Sequence, residues 1–513
     1  MPAIVLATIN ARYAHASLGL RCLRANLGEL RECSVIREFV IGQKTEEIVE
    51  RILAERPRIV GLGVYIWNVD ESTRLVAMLK AVAPDVAIVL GGPEVSFEID
   101  AQPICRLADF VITGWGDLSF VRLARQILDG PRPLMKVHAG EQPPLDSLAL
   151  PYDEFSADDL KHRHIYVEAS RGCPFKCEFC LSALDKTAWP FPLPAFLDGL
   201  DRLWARGARR FKFVDRTFNL KIETSAAILD FFLGKLDADA ADPPFLHFEL
   251  IPDHLPEKLR ARIARFPAGT LQFEIGIQTF NPDVQKLISR RQDDDAACAN
   301  LRWLRESSTA HLHVDLIAGL PGEDVASFAT GFDRLVALGP HEIQLGILKR
   351  LRGTPIVRHT AAFALRFNPD APYNILATDR IDFATMQRLS RFARYWDLVA
   401  NSGRFGSTLP LVLGAAPFAN FLALSDWLFE STGQTHAIAG ERLYNLLFRF
   451  LTAVRAIDAE RARDALAADY VASGSRGKLD FADIEALLAA RRAERRGVRA
   501  GAELPRQTRH LSA

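Results

Sequence analysis

Three of the seven cysteines in this 513-residue chain, Cys173, Cys177 and Cys180, fall within the decapeptide RGCPFKCEFC with the spacing CxxxCxxC. A structural zinc site usually takes four ligands, and a zinc clasp would need a distant fourth ligand, because the next histidine is His247. Three close thiolates fit a 4Fe-4S cluster with one iron left open. A disulfide would leave one thiol unpaired, and sparse clustered cysteines are typical of a reducing cytosol. The spacing therefore favours an iron-sulfur cluster, with zinc as the alternative, and predicts a cytoplasmic protein.

A predicted strand, IYVEAS at 165–170, leads directly into the cysteines. Six strands with intervening helices are typical of a partial (β/α)6 barrel, in which functional residues lie at the carboxyl ends of the strands. Five further strand-like runs complete that number, each separated from the next by a helical stretch, at 211–215, 245–250, 271–278, 311–320 and 342–351. From residue 366 onward helical periodicity replaces the strand signal.

The first 130 residues alternate short β-branched runs, such as AIVLATIN and VAIVLGG, with amphipathic stretches. This alternation predicts a Rossmann-like, doubly wound parallel sheet, whose ligands bind beyond the carboxyl ends of the strands. No GxGxxG or GxxxxGK occurs in the loops at those ends, so a nucleotide phosphate site is not predicted. Glycines concentrate there, either to let backbone approach a bulky ligand or as ordinary turn residues: Gly63, Gly91, Gly92, Gly114 and Gly116.

The Pro-rich joint EQPPLDSLALPYDEF predicts a linker between two domains. The final segment, 491–513, carries seven arginines against two glutamates and is predicted to be a frayed, solvated tail, with RNA contact as the alternative. The fold class is therefore α/β, and the chain divides into a Rossmann-like domain (1–140), a linker (141–160), a partial barrel (161–365) and a helical C-terminal region with a frayed basic tail (366–513).

Charge and hydropathy exclude several classes of partner. The 63 basic and 63 acidic residues cancel, so no overall field steers the chain toward DNA or an anionic membrane. The longest apolar run, at 410–429, contains Pro417, Asn420 and Asp426 and predicts a buried helical hairpin rather than a membrane span. The opening residues lack the positive segment of a signal peptide. We therefore expect small-molecule chemistry, and four further cysteines are predicted to be small buried residues: Cys22, Cys33, Cys105 and Cys298.

The CxxxCxxC spacing, with Phe179 before the last cysteine, resembles the signature of the radical S-adenosylmethionine (SAM) enzymes. The resemblance implies that Cys173, Cys177 and Cys180 ligate a 4Fe-4S cluster whose open iron binds the amino and carboxylate groups of SAM. It also implies an adenine contact through the backbone of Phe179. The segments FKFVDRTFN, FEIGIQT and VDLIAGLPGE look like later strands of that family. They imply SAM contacts at residues that would otherwise be helix caps, ion-pair partners or turn glycines: Asp215, Glu249, Gly276, Gln278 and Gly319.

A parallel sheet ahead of such a barrel resembles the cobalamin-dependent subgroup of these enzymes. The segments SLGLRCLRANL, GGPEVS and GWGDLSF look like parts of its first domain, and NARYAHASLGL, PYNILATD and RYWDLVANSGRF resemble an uncharacterised branch of it. His15 lacks the DxHxxG context of a cobalt ligand, so a local hydrogen-bonding role is the first expectation for it. Tyr65, Trp67 and Trp115 would pack on the corrin face or serve as core aromatics. Cobalamin contacts are implied at Gly63, Gly91, Gly92 and Gly114.

The resemblance implies an enzyme that methylates an unactivated carbon of a small-molecule or peptide-like substrate through a 5′-deoxyadenosyl radical. Its cofactors would be a 4Fe-4S cluster, SAM and cobalamin, and an electron donor such as flavodoxin or ferredoxin would reduce the cluster. No catalytic residue beyond the cluster ligands is assigned. The alternatives are a rearrangement or cyclisation without methyl transfer, and a non-catalytic corrinoid- or zinc-binding module.

Overall fold

The computed structural model describes residues 3–131, 133–185, 187–238, 242–475 and 477–482. Within it the chain divides into two units. The first runs to Glu249 and also includes Lys349–Arg358 and Phe367–Asn374, whereas the second holds the remainder.

The β-branched runs of the N-terminal region form a six-stranded parallel sheet. Its strands are β1 (Ile4–Asn10), β2 (Ser34–Val40), β3 (Ile59–Gly63), β4 (Ala87–Gly91), β5 (Phe110–Thr113) and β6 (Val137–Ala139). Their order across the sheet is β2-β1-β3-β4-β5-β6, and every neighbouring pair is parallel. Every residue of β1 is buried, as expected of a strand covered on both faces.

Five helices cover the two faces of this sheet: α1 (Leu18–Ala25), α2 (Thr45–Ala54), α3 (Val69–Val82), α4 (Pro103–Leu107) and α5 (Asp117–Asp129). Alternate residues of β1 enter two separate cores. One core joins Val5 and Ile9 to α2, α3 and α4, and the other joins Leu6 to α1 and α5. The sheet is therefore doubly wound, which confirms the Rossmann-like prediction.

The first unit continues through the linker into three more parallel strands. Strand β10 pairs with β7 on one side and β11 on the other. The short strands β8 and β9 pair antiparallel on either side of the cysteines. The bounds are α6 (Ala157–His162), β7 (Ile165–Val167), β8 (Ser170–Arg171), β9 (Trp189–Pro190), α7 (Leu193–Ala205), β10 (Arg210–Phe213), α8 (Ile222–Ala238) and β11 (Phe245–Leu250). 

The second unit contributes three parallel strands, in which β13 pairs with both β12 and β14. The bounds are α9 (Glu257–Ile263), β12 (Leu271–Gln278), α10 (Pro282–Leu287), α11 (Asp294–Ser307), β13 (His311–Ala318), α12 (Val325–Leu338) and β14 (Glu342–Ile347). Odd-numbered residues of β12 are buried and even-numbered ones half-buried. Six parallel strands with intervening helices thus follow the linker, as predicted for a partial (β/α)6 barrel.

Helices dominate the C-terminal region, as predicted. The bounds are β15 (Arg366–Phe367), β16 (Ile375–Ala377), α13 (Phe383–Val399), α14 (Leu409–Leu413), α15 (Pro417–Thr432), α16 (Gly440–Arg449) and α17 (Ala459–Ser473). The long apolar run forms α14 and α15, with Phe421, Leu424 and Leu428 fully buried. In the described part of the chain, no helix combines the length and hydropathy needed to span a membrane. The basic tail that the sequence predicts to fray lies outside the described residues.

Candidate functional site

The cysteine loop, residues 172–180, follows β8 in the first unit. Cys173 and Cys177 are buried and Cys180 is half-buried, and all three thiols are free. The backbone N–H of Cys180 donates to the carbonyl of Cys177 at 3.1 Å, which closes a tight turn between these two. Gly172 begins the loop with φ +88°, and a Cβ there would lie 2.3 Å from the carbonyl oxygen of Thr187. Only glycine fits this entry to the loop.

The three thiols influence one another electrostatically. Burial, with a smaller contribution from negative charge on Cys180 and Cys177, raises the pKa of the Cys173 thiol to about 11. Among the described residues no group of three or more His, Cys, Asp or Glu side chains is arranged to hold a metal ion. The donor set itself, three unpaired thiols in one loop, fits a three-thiolate site, and metal binding would have to deprotonate these thiols.

Asp215 lies two residues after β10 and is buried. One of its carboxylate oxygens accepts a hydrogen bond from the Ser170 hydroxyl at 2.6 Å, and the other accepts one from the Ala169 N–H at 2.9 Å. Burial raises the pKa of Asp215 to about 7. Because both oxygens face donors just ahead of the cysteines, Asp215 fixes the strand that leads into the cysteine loop.

The other two predicted SAM contacts of the first unit lie nearby in the chain. Glu249 is at the end of β11, where Arg216 Nη1 pairs with its carboxylate at 2.6 Å. Phe179 is half-buried between Glu178 and Cys180. 

In the second unit, Gly276 and Gln278 lie at the carboxyl end of β12. The pairing with β13 shifts register between them, and Gln278 has φ +68°, a conformation that a non-glycine residue rarely adopts. Gly319 follows β13 with φ +87°, and a Cβ there would lie 2.6 Å from Ile375. The strained backbone at Gln278 is of a kind concentrated at functional sites, whereas a positive φ is unstrained at a glycine such as Gly319.

Sequence reasoning missed one residue at these strand ends, Glu323. Its carboxylate is buried and accepts a hydrogen bond from the Thr279 hydroxyl at 2.6 Å. Burial raises the pKa of Glu323 to about 7. The signal that could have identified it is its place in VDLIAGLPGE, which already contained Gly319.

A cavity of about 320 Å³ opens at the carboxyl end of the first sheet. Its volume falls within the range of small-molecule sites. The four glycines named for cobalamin, Gly63, Gly91, Gly92 and Gly114, all line it. A Cβ at Gly114 would meet no protein atom within 4 Å, so this backbone faces open space. An apolar cradle lined by glycine fits a large ligand that lies against backbone.

The aromatic residues and His15 divide between the cavity and its surroundings. Tyr65 and Trp115 line the cavity, and Trp67 stacks on Tyr65 with ring centroids 4.4 Å apart. The described lining does not include His15. Instead, His15 Nδ1 lies 2.6 Å from the hydroxyl of Tyr166, which is the local hydrogen-bonding role expected from the sequence.

One wall of the cavity carries a buried ion cluster that the sequence did not suggest. Arg171 lines the cavity together with Asp117 and Glu168. The Arg171 guanidinium donates to Asp117 at 2.8 Å and to Glu168 at 2.7 Å. Arg171 is also two residues before Cys173. The wall of the cavity therefore continues directly into the cysteine loop.

Comparison with protein families identifies two domains of known type. The B12 binding domain matches residues 4–124, and the Radical SAM superfamily matches residues 167–334. A protein family of unknown function, DUF4080, matches residues 361–485 in the helical region.

Two curated relatives match part of the chain. The Uncharacterized methyltransferase PH0819 of Pyrococcus horikoshii is 27% identical over 228 residues, which are 40% of this chain and 49% of that protein. The Cobalamin-dependent radical SAM methyltransferase TokK of Streptomyces tokunonensis is 24% identical over 346 residues, which are 57% of this chain and 47% of that protein. The chain thus matches about half the length of each relative.

A solved structure shows the same architecture. The Cobalamin-dependent S-adenosylmethionine radical enzyme OxsB with aqua-cobalamin bound has a TM-score of 0.62 and 14% identity, and the match covers 100% of this chain and 83% of that one. At this identity the similarity is one of fold. The two family matches imply a 4Fe-4S cluster, SAM and cobalamin as cofactors. Because one chain carries both a B12 binding domain and a Radical SAM domain, it belongs to the cobalamin-dependent radical SAM superfamily.

Proposed function

We propose that this radical SAM enzyme transfers a methyl group to an unactivated carbon of a small-molecule or peptide-like substrate. The observation that carries the proposal is the shared wall at Arg171, which borders the glycine-lined cavity and lies two residues from the first cysteine. A methyl donor in the cavity and a radical source at the cysteine loop would therefore be near neighbours. The methyltransferase names of PH0819 and TokK support the same reaction.

The cofactors supply the reactive groups, a 5′-deoxyadenosyl radical from SAM at the cluster and a methyl group on cobalamin, and the chain supplies binding, orientation and exclusion of water. Cys173, Cys177 and Cys180 would hold the cluster. Asp215 fixes the strand that leads into their loop through Ala169 and Ser170. The reduced cluster requires an electron donor, for which a flavodoxin or ferredoxin is proposed.

The remaining site residues form two sets in this proposal. The SAM contacts would be Phe179, Asp215, Glu249, Gly276, Gln278 and Gly319. The support for them is their position in the cysteine loop or at or just after strand ends, with strained backbone at Gln278. The support for the cobalamin contacts is that all four line the cavity: Gly63, Gly91, Gly92 and Gly114.

The test is anaerobic incubation of the reconstituted holoprotein with cobalamin, a chemical reductant, a metabolite extract and SAM labelled with a trideuterated methyl group. Methyl transfer should give a product that carries the labelled methyl, together with both S-adenosylhomocysteine and 5′-deoxyadenosine. The Cys177→Ala variant is the control and should give none of these.

Each alternative has its own outcome in this experiment. Formation of 5′-deoxyadenosine without S-adenosylhomocysteine would overturn methyl transfer and favour rearrangement or cyclisation. A protein that holds stoichiometric zinc, contains no iron and consumes no SAM would be a non-catalytic binding module.

A further inference from the structure

The chain after β14 contributes a short segment to the first unit, and we name Lys349–Arg358 together with Tyr373 the brace. Its residues contact two loops that lie far from it in sequence. One is the loop after β4, residues 92–98, which begins at the cavity. The other is the cysteine loop. 

One end of the brace forms ion pairs with the loop after β4. Arg352 donates to Glu94 at 2.8 Å, to Glu98 at 2.9 Å and to the Tyr373 hydroxyl at 2.9 Å. The Tyr373 hydroxyl in turn donates to Glu94 at 2.7 Å, and Arg350 pairs with Glu98 at 2.8 Å. Glu94 is only 4% exposed, and it lies two residues beyond Gly92, which lines the cavity. This end therefore fixes the loop that borders the cobalamin cavity.

Backbone packing tightens the same contact. Gly353 has φ +80°, and a Cβ there would lie 2.4 Å from the ring of Phe97. The Phe97 ring thus rests directly against the backbone of the brace. No other residue type could occupy this position without moving the loop after β4.

The other end of the brace contacts the cysteine loop. The Ile356 N–H donates to the backbone carbonyl of Glu178 at 3.0 Å. The Arg358 guanidinium pairs with the carboxylate of the same residue. Glu178 is 2% exposed and lies between Cys177 and Cys180. A backbone bond and an ion pair therefore hold the middle of the cysteine loop from outside.

We propose that the brace sets the position of the cluster relative to cobalamin, with Arg352 and Arg358 as its positioning residues. The two arginines are six residues apart, so the chain between their anchors spans at most about 20 Å. Anchors joined by so short a segment cannot drift independently. The Glu94 and Glu178 carboxylates at the two anchors are both buried, and a buried carboxylate that loses its cationic partner destabilises the structure around it. The role of the brace requires only that the cluster and cobalamin both bind, and it is the same whether or not the reaction is methyl transfer.

The readout is the distance between the two cofactors, measured by pulsed EPR on holoprotein that contains the reduced cluster and cob(II)alamin, both of which are paramagnetic. The wild type should give a narrow distance distribution. Arg352→Gln and Arg358→Gln should each broaden it. Arg352→Gln should also lower cobalamin affinity about tenfold, as expected when a supporting partner of a site is lost, whereas Arg358→Gln should leave cobalamin affinity unchanged.

The matched control is Arg388→Gln, which removes a partly exposed ion pair with Asp426 in the C-terminal helices. It should leave both the distance distribution and cobalamin affinity unchanged. Arg352→Lys keeps the charge but loses the planar fork, and it should broaden the distribution less than Arg352→Gln does. If Arg352→Gln bound no cobalamin, its distance distribution could not be measured, and the distribution in Arg358→Gln would then test the proposal. Distributions as narrow as the wild type in correctly folded Arg358→Gln would overturn the proposal.

Discussion

The glycine-lined cavity and the cysteine loop lie in the same unit but differ in what they offer a cofactor. The cavity is lined by backbone glycines and apolar side chains and is bordered on one side by the Arg171 ion cluster. The cysteine loop instead presents three free thiols, which must be deprotonated to bind a metal cluster. Shape therefore defines the cavity, whereas the chemistry of three side chains defines the cysteine loop. Mutations should therefore separate the two sites.

The largest effect is expected from Cys177→Ala. Loss of one of only three thiolates should abolish the cluster, while cobalamin affinity stays at the wild-type value because the cavity does not depend on the thiol. Iron and sulfide analysis and the visible spectrum measure the first quantity, and equilibrium binding measures the second. Cys298→Ala, at a buried cysteine of α11, is the control and should retain the cluster. A parallel loss of cobalamin in Cys177→Ala would show that the cavity depends on the cysteine loop.

The next largest effect is expected from Arg171→Met, which tests where the two sites meet. Removal of the guanidinium leaves the buried Asp117 and Glu168 carboxylates unpaired, a change that typically costs about 3–5 kcal/mol. The free energy of unfolding should fall by that amount in urea titrations, and both cofactors should bind more weakly. Arg125→Met removes an exposed pair with Glu29 and should cost about 0–1 kcal/mol. Equal effects of the two substitutions would contradict the role assigned to the buried cluster.

A smaller effect is expected when the cavity backbone is changed by a single methyl group. Gly92 has φ +114° and ψ +169°, and a Cβ there would lie 2.4 Å from the carbonyl oxygen of Val64. Gly92→Ala should therefore weaken both folding and cobalamin binding, by about 2–3 kcal/mol in unfolding free energy. Gly114→Ala introduces the same methyl into open space at φ +69° and should cost only about 1 kcal/mol. If Gly114→Ala lowered the free energy of unfolding more than Gly92→Ala, the close packing of backbone at Gly92 would not be what determines the shape of the cavity.

The smallest effect is expected from Glu323→Gln, at a buried carboxylate of the second unit. Its pKa is raised to about 7 in the folded protein, so the folded state binds a proton that the unfolded state has already released. Stability from this group is greatest near the ordinary carboxyl pKa and is lost as the pH rises to about 7, with a slope on the order of 1 kcal/mol per pH unit. Glu323→Gln should remove this slope in urea titrations between about pH 5 and pH 7.

Asp215 provides the comparison for this last experiment, because burial raises its pKa to about 7 as well. Asp215→Asn should remove a slope of the same sign, and it should also disturb the cysteine loop through Ala169 and Ser170. Glu323→Gln should leave cluster assembly unchanged. An unaltered pH slope in Glu323→Gln would contradict the role of burial.

Local patterns in the sequence predicted much of this structure. The strands at 245–250 and 271–278 have the predicted bounds because alternation and β-branched composition are properties of short segments. The cysteine loop was identifiable for the same reason. Strand β6 was missed, since its three residues at the sheet edge are largely exposed and carry no hydrophobic pattern.

Contacts between segments distant in the chain could not be predicted from the sequence. Arg352 and Glu94 are separated by 258 positions, and Arg171 and Asp117 by 54, so nothing local distinguishes these residues from solvated charges. The glycines were recognisable, but their convergence on one cavity required the sheet to be built. The sequence favoured a hydrogen-bonding role for His15 but could not identify the partner, Tyr166, which lies 151 positions away.

The ion cluster at Arg171 has a consequence for how this protein can be divided or recombined. The Pro-rich linker is the obvious place to separate the B12 binding domain from the Radical SAM domain. However, Asp117 lies before the linker and its partner Arg171 lies after it. A truncated chain that began at the linker would keep all three cysteines but would remove Asp117, one of the two carboxylate partners of Arg171, and leave only Glu168. We therefore expect chimaeras joined at the linker to be unstable unless the loop after β5 is transferred together with the cysteine loop. The two domains match separate families, but in this chain they share a buried ion cluster.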